Sequence, residues 1–516
     1  MIFLSGCGKT DSGISEKSQS KKTSDGPSEK NNTEVELEKI RPQIVAFCGA
    51  CHAVPKPETF PKSAWYDEVA QGYRFYDLSK RTDLVAPPMN KVVAYYRHLA
   101  PDKMPVPKPV ETMESPPIRF SRHGYPFSGA SAEPITAVSH IRWHSGPSKD
   151  PILLFTDMRT GEVRSAIFRE GKIQSRVLAQ LSHPAHVEPV DFNGDGLEDY
   201  LVAELGSFQP EDHDRGQVVL LQAAKMEPNG KIGYQKIVLK SQLGRVADVQ
   251  SGDFDNDGDL DLVIAEFGWR TTGRILFLRQ TGIQNEIPQF ETVVLDKRHG
   301  TIHVPIVDLN KDGHLDFVAL VSQEHEAVDA FLNRGDGTFE RKRIYAADDP
   351  SFGSSGIQMI DLDKDGDLDV LYTNGDSLDS YFLKPYHSIR WLENRGTYPF
   401  TEHVLTQLPG VSRALAADMD GDGDLDIVAS AYLPLKVANT VPGQKISTLI
   451  WLEQRKNRQF VKHEIERESP GGLAMDLGDF DNDGDTDIAF GTFDNTKGKD
   501  WLTIWTNNKP SPPSKP

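Results

Sequence analysis

Asp253-Phe254-Asp255-Asn256-Asp257-Gly258-Asp259-Leu260-Asp261 decides how this chain folds, because the same pattern recurs six times along it. The other copies are Asp191/Asn193/Asp195/Asp199, Asp308/Asn310/Asp312/Asp316, Asp361/Asp363/Asp365/Asp369, Asp418/Asp420/Asp422/Asp426 and Asp479/Asp481/Asp483/Asp487. Oxygen side chains stand at positions 1, 3, 5 and 9, with glycine at position 6. Calcium takes six to eight oxygens, and alternate residues of a tightly curled loop can surround one ion while a carbonyl at position 7 completes the shell. The loop differs from an EF-hand in that its last acid falls at position 9 and an apolar strand follows, as in Leu262-Val263-Ile264. Without counter-ions the 22 carboxylates of the six loops would repel one another. About six Ca²⁺ ions would move the formal charge from −19 to −7.

The spacing sets the architecture. First aspartates lie 62, 55, 53, 57 and 61 residues apart, which suits four-stranded blades of a propeller. Each repeat reads as an inner strand entering the loop, an apolar second strand, a third such as Ile275–Leu278, and a fourth such as Phe290–Val294. One period before Asp191, Ile152-Leu153-Leu154-Phe155, with Asp150 ahead of it, reads as the second strand of a blade whose loop has decayed. That makes seven blades. The last repeat lacks a fourth strand, and Ile118-Arg119-Phe120-Ser121-Arg122 has that strand's character, so it is expected to close the ring.

Ahead of the repeats stands Cys48-Gly49-Ala50-Cys51-His52, the signature of covalent c-type haem attachment. Two thiols add to the porphyrin vinyl groups, and His52 becomes the proximal iron ligand. The rival readings are a redox dithiol, which lacks its strand–helix–strand context here, a zinc site, which lacks a fourth cysteine among the three in the chain, and a structural disulfide. Val92, Val93, Tyr95, Tyr96 and Leu99 follow a helical rhythm near the end of this segment. Met89, Met104 and His98 are the candidate distal ligands. Met89 resembles the methionine that precedes the last helix of cytochromes c.

The chain opens Met1-Ile2-Phe3-Leu4-Ser5-Gly6-Cys7. Leu4–Cys7 resembles the bacterial lipoprotein signal, whose cysteine is lipidated, although the upstream apolar segment is missing and a true start further upstream is expected. Residues 8–36 are rich in Ser, Lys, Gly and Glu and read as a flexible tether. The division is therefore a truncated signal (1–7), a tether (8–36), a haem domain (37–110), a propeller (118–508) and a disordered tail (509–516).

The acidic loops resemble the FG-GAP/VCBS repeats of integrin α-subunit propellers and bacterial surface proteins. That resemblance implies ligand contact on the face opposite the calcium loops. Carried over by position, this face would display His186, Asp248, His303 and Arg413, each five residues before its loop, joined by Lys384–His387 and residues 431–446. The fold class expected is thus mainly β: a seven-bladed calcium propeller preceded by a small all-α cytochrome c domain. The whole resembles envelope lipoproteins that join these two domains. It implies electron transfer with a redox partner protein or surface ligand, the membrane being met only through Cys7. The alternatives are a sugar or alcohol dehydrogenase-like oxidoreductase feeding the haem, and a calcium-dependent adhesion module. A charge of −19 disfavours nucleic acid, and no apolar run is long enough to span a bilayer.

Overall fold

The computed structural model describes residues 37–105, 116–126, 135–145, 151–169, 172–224, 232–378, 381–434, 446–456, 458–467, 472–493 and 500–508. Cys7, the 8–36 tether, Asp150, most of the 431–446 insertion and the 509–516 tail lie outside these residues.

Seven antiparallel sheets form the propeller. Blade 1 runs Val138–Ser145, Pro151–Asp157, Glu162–Arg169 and Lys172–Gln180, and blade 3 runs Val246–Gly252, Asp261–Glu266, Arg274–Gln284 and Ile287–Asp296. The other blades repeat the order. In each, the first strand is innermost and the fourth faces solvent. Second strands such as Asp261–Glu266 and Asp369–Asn374 are buried along their whole length, which is why they read as continuous apolar runs. The core lies between blades: Leu201 and Leu220 of blade 2 pack with Val249, Leu262 and Leu276 of blade 3.

Ring closure follows the expectation. Arg119–Tyr125 pairs antiparallel with Leu502–Asn508, from Arg119 opposite Asn508 to Tyr125 opposite Leu502. The seam with blade 1 is sealed by Phe155 and Ile141 against Phe480 and Ile504. The edge of Leu502–Asn508 is thereby covered, and Arg119–Tyr125 becomes the solvent-facing outer strand of the seventh sheet.

Residues 37–105 include the α-helices α1 (Arg41–Cys48), α2 (Trp65–Ser79) and α3 (Met89–Leu99), with a short 3-10 helix at Pro57–Thr59. Trp65 stacks on Tyr96 with centroids 4.0 Å apart, and Ile44, Val69, Val92 and Val93 complete the core. Two details differ from the sequence reading. Leu99 is 46% exposed, because the helix ends there and its last turn faces water. Met89 is the first residue of α3 and does not precede it.

An up-and-down blade puts its first turn, carrying the acidic loop, on one face of the ring, and the turns after its second and fourth strands on the other. The helical domain sits on that other face, across blades 3 to 5. Lys56 N–H donates to Asp349 Oδ2 at 2.7 Å, and Lys56 Nζ pairs with Asp348 at 2.6 Å. Phe60 meets Phe382 at 6.2 Å and lies under Lys384 Nζ, while Arg270 covers the ring of Phe75 at 4.5 Å.

Candidate functional site

All six acidic loops take one conformation. Position 4, whether Gly194, Asn256, Lys311, Lys364, Gly421 or Asn482, has φ between 58° and 75°. The glycine at position 6 has φ between 80° and 99°. Two left-handed residues so close together curl the chain tightly, and only glycine adopts that region freely. The position-1 aspartate receives the N–H of position 6 in every copy, as Gly258 N–H to Asp253 Oδ2 at 3.1 Å. Carboxylate oxygens of Asp253, Asp255 and Asp257 lie within 4.8 Å of one another, as do those of Asp361, Asp363 and Asp369 and of Asp418, Asp420 and Asp426.

Burial differs among the four positions: position 9 is buried in every copy, and position 5 reaches solvent. Position 5 is exposed in every copy, as Asp195, Asp257, Asp312, Asp365, Asp422 and Asp483. Position 3 is exposed in three, as Asn193, Asn310 and Asp481. Hydration and mutual repulsion favour spreading like charges toward water at the loop tip. The asparagine copies differ again. Asn193 Nδ2 donates to Asp195 Oδ2 at 3.0 Å, and Asn310 Nδ2 to Asp312 Oδ2 at 2.9 Å, so each amide engages a carboxylate oxygen that the sequence reading reserved for the ion. Asp365 Oδ1 and Asp483 Oδ1 accept the N–H two residues on, from Asp367 at 2.9 Å and Asp485 at 3.1 Å. These side chains therefore shape the turn as well as offering oxygen.

Position 9 carries a second role that the sequence did not reveal. Each of these aspartates is buried and clamps two backbone N–H groups. Asp426 Oδ2 accepts from Met419 N–H at 3.1 Å and Oδ1 from Gln454 N–H at 2.7 Å. Asp199, Asp261, Asp316, Asp369 and Asp487 repeat the arrangement, binding the loop to the end of the third strand. Burial and neighbouring carboxylates raise the pKa of Asp261 and Asp369 to about 6, and of Asp426 and Asp487 to about 7. A cation among these oxygens would relieve that electrostatic penalty, so the donor set fits calcium.

At the axis, the inner strands point side chains of two layers into a common hub. Their first layer contains His186, Asp248, His303 and Arg413, as the family resemblance implied, together with His140 of blade 1. His140 pairs with Thr156 across the sheet at the register where His186 pairs with Ala203, but no acidic loop marks its position in the sequence. The second layer, two residues on, holds Arg142, Glu188, Gln250, Gln358 and Asp476. Period-2 alternation would have found it.

The hub is a connected polar network. His186 Nε2 lies 2.8 Å from Glu188 Oε1 and 3.2 Å from Asp248 Oδ1. Gln250 Nε2 donates to Asp248 Oδ1 at 3.1 Å and to Glu188 Oε1 at 3.3 Å. The His140 and His186 rings lie 3.9 Å apart, and His303 Nδ1 is 4.0 Å from Asp248 Oδ2. Burial depresses the His186 pKa, but Asp248 and Glu188 outweigh it and leave the value raised. His140 and His303 are pushed down by burial and by nearby cations, His303 to about 3. Several hub groups also latch neighbouring blades. Asp248 accepts from Val304 N–H (2.9 Å), Gln358 from Ala416 N–H (2.8 Å), and Asp476 from Trp143 N–H (2.6 Å).

Above this floor, a cavity of about 330 Å³ opens toward the helical domain's side of the ring. Its lining includes His140, His186 and His303 together with Phe267, Trp269 and Tyr432. Arg270, next to Trp269, carries the contact to Phe75 of α2. The cavity and the helical domain therefore share one wall.

In the helical domain, Cys48 is half-buried, Cys51 exposed, and both thiols are free. Burial, with Cys51 nearby, raises the Cys48 pKa to about 11. His52 Nδ1–H donates to the Ala53 carbonyl at 2.7 Å, a tautomer that leaves Nε2 bare for an iron. Arg81 Nη1 donates to Cys51 Sγ at 3.0 Å, anchoring the loop that leads to Val85, an apolar residue 90% exposed. The Tyr96 hydroxyl is buried without a partner, and Met89 belongs to the same apolar cluster as Cys48. These residues fit a covalently held porphyrin. His98 is exposed on the last turn of α3, and Met104 follows it half-buried.

A family model described as FG-GAP-like repeat matches residues 191–264, 253–319 and 308–372, from the acidic loop of blade 2 to the second strand of blade 5. The propeller thus carries FG-GAP repeats. No curated protein matches the chain.

Proposed function

We propose that this chain is a cell-envelope electron-transfer protein that binds a ligand or partner in the funnel of a calcium-stabilised propeller. Cys48 and Cys51 would hold haem c, with His52 as proximal ligand and Met89 as the distal candidate. A bound haem c would supply one-electron transfer. Calcium would occupy the six acidic loops. Cys7 would anchor the chain by lipid to a bacterial envelope membrane, in the periplasm or at the cell surface.

The observation that supports this reading is placement: the helical domain bearing Cys48-Gly49-Ala50-Cys51-His52 docks on the face into which the funnel opens. The shared wall of Trp269 and Arg270 also favours a second reading, in which the funnel holds an oxidisable small molecule such as a sugar or alcohol. Its mixed lining of imidazoles and aromatic rings suits a ligand with both polar and apolar groups.

The test is to export the full chain in a host that matures c-type cytochromes, and to record its spectrum before and after adding a sugar and alcohol panel. A reducible α-band is expected, lost in Cys48→Ala/Cys51→Ala. Growth of that band on adding a panel member would establish the oxidoreductase reading. Rapid exchange with another cytochrome, without substrate reduction, would establish the carrier. Exported protein without haem would refute both.

A further inference from the structure

We propose that His140, His186 and Glu188 form a site for one divalent transition-metal ion of the zinc class, at the floor of the funnel cavity. It is distinct from the six acidic loops and independent of the haem.

Three observations carry this. The ligand atoms of these residues all lie within 4.8 Å of one another. Atoms bound to one ion at about 2.1 Å, at angles between 90° and the tetrahedral value, stand roughly 3.0–3.4 Å apart. The His186 Nε2 to Glu188 Oε1 separation of 2.8 Å needs only a small opening to match. The rings of His140 and His186, from adjacent blades, face each other at 3.9 Å, so a single ion can be reached from both strands. Finally, Glu188 is already held in place, with Gln250 Nε2 at 3.3 Å and Arg142 Nε 3.6 Å from its other oxygen. Such outer partners orient metal ligands.

The donor types select the ion. Two imidazoles and one carboxylate suit zinc, iron, copper or nickel, whereas calcium and magnesium demand oxygen. The acidic loops offer oxygen alone, so the two classes of site sort two classes of cation. His140 and His186 both border the cavity, so an ion held by them would stand beside any small molecule in it, as in zinc sites that bind and polarise one. The ligand this site would take is a small oxygen donor, such as a carboxylate, carbonyl or hydroxyl.

The experiment uses the full calcium-saturated chain with Zn²⁺ alone as probe. Bound zinc is counted by mass spectrometry and its ligands read from the zinc X-ray absorption edge. One zinc per chain with two imidazoles is expected, and affinity at least tenfold weaker in His186→Ala. Glu188→Gln keeps the shape of the side chain and is expected to weaken zinc likewise, so it decides the matter if His186→Ala fails to fold. Calcium content should stay at the wild-type value in Glu188→Gln, and a cooperative melting transition should show that the variant folds. Zinc retained at full affinity in Glu188→Gln would overturn the proposal. So would thiolate ligation from Cys48 and Cys51, or loss of zinc only on His299→Ala, which would move it to the His299–Glu324–His325 cluster on the rim.

Discussion

Replacing Asp426 and Asp420 by alanine, one at a time, separates the two roles that a single acidic loop combines. Asp426 is buried and holds two backbone N–H groups, those of Met419 and Gln454. Its removal leaves two buried donors unpaired, at about 1–3 kcal/mol each. Relief of crowding among the remaining carboxylates offsets some of this, so a net loss of about 2–4 kcal/mol is expected in chelator, and lost calcium affinity should add to it when the ion is present. At roughly 2 °C per kcal/mol for a large domain, the melting temperature should fall by about 4–8 °C. Asp420 accepts one N–H, from Asp422, near the exposed tip of the loop, where water can replace it. Asp420→Ala should therefore move stability by less than about 0.5 kcal/mol in chelator. In calcium well above Kd, each tenfold loss of affinity should remove about 1.4 kcal/mol. The assay is differential scanning fluorimetry of both variants and wild type, in excess chelator and across a calcium titration. An Asp426→Ala variant that melts like wild type in chelator would refute the clamp. Equal losses for both variants there would refute the division of labour.

Two further outcomes follow from buried or paired elements. Glu326 is buried and accepts N–H groups from Gly353 and Ser354; burial raises its pKa to about 7. A carboxyl whose folded pKa exceeds its unfolded value binds more protons when folded, so its contribution falls as pH rises from about 4.5 to about 7 and stays flat above. Glu326→Gln should flatten that part of the melting-temperature profile, and an unchanged slope would count against the assignment. Deleting residues up to 125 removes the strand that covers Leu502–Asn508. The exposed edge should then recruit other chains, visible as aggregates in light scattering; a stable monomer would show that the closure is dispensable.

The repeats were legible because the acidic loop places its residues at fixed spacing, and spacing survives in a sequence. Six loops located six inner strands, and counting back five residues found His186, Asp248, His303 and Arg413. Where the loop is absent, the count has no origin, and His140 went unseen although its register matches that of His186. The clamp at position 9 was hidden because an aspartate that binds backbone looks the same in sequence as one that binds metal. The same ambiguity covers the loop tips, where Asn193 and Asn310 turn their amides to the neighbouring acids. The docking of the helical domain was illegible for another reason: Lys56 and Asp349 are separated by 293 residues with no shared pattern. Charge gave a hint in retrospect. Residues 37–105 hold ten Lys and Arg against seven Asp and Glu, in a chain whose total is −19. A weakly basic domain and an acidic ring attract, which orients their contact.

The inner strands connect the two ends of the propeller's chemistry. Each loop-bearing strand has an acidic loop at one end and, five residues earlier, a hub position at the other, a span of roughly 16 Å at the rise of a β-strand. His186 and Asp191 share such a strand, as do Asp248 and Asp253. In blade 4 the strand is broken into Thr301–His303 and Ile306–Val307, so His303 has the least regular support of the three. Ordering the loop with calcium should thus order the hub without touching it, through strands whose hub side chains also latch the next blade, as Asp248 does on Val304 N–H. Hydrogen exchange in calcium and in chelator measures this directly. Loss of protection on calcium removal is expected to run from residues 191–198 back through Pro184–Val190, and to be largest around His303. Protection lost only within the loops would show that the two ends of the propeller are uncoupled, and that calcium serves stability alone.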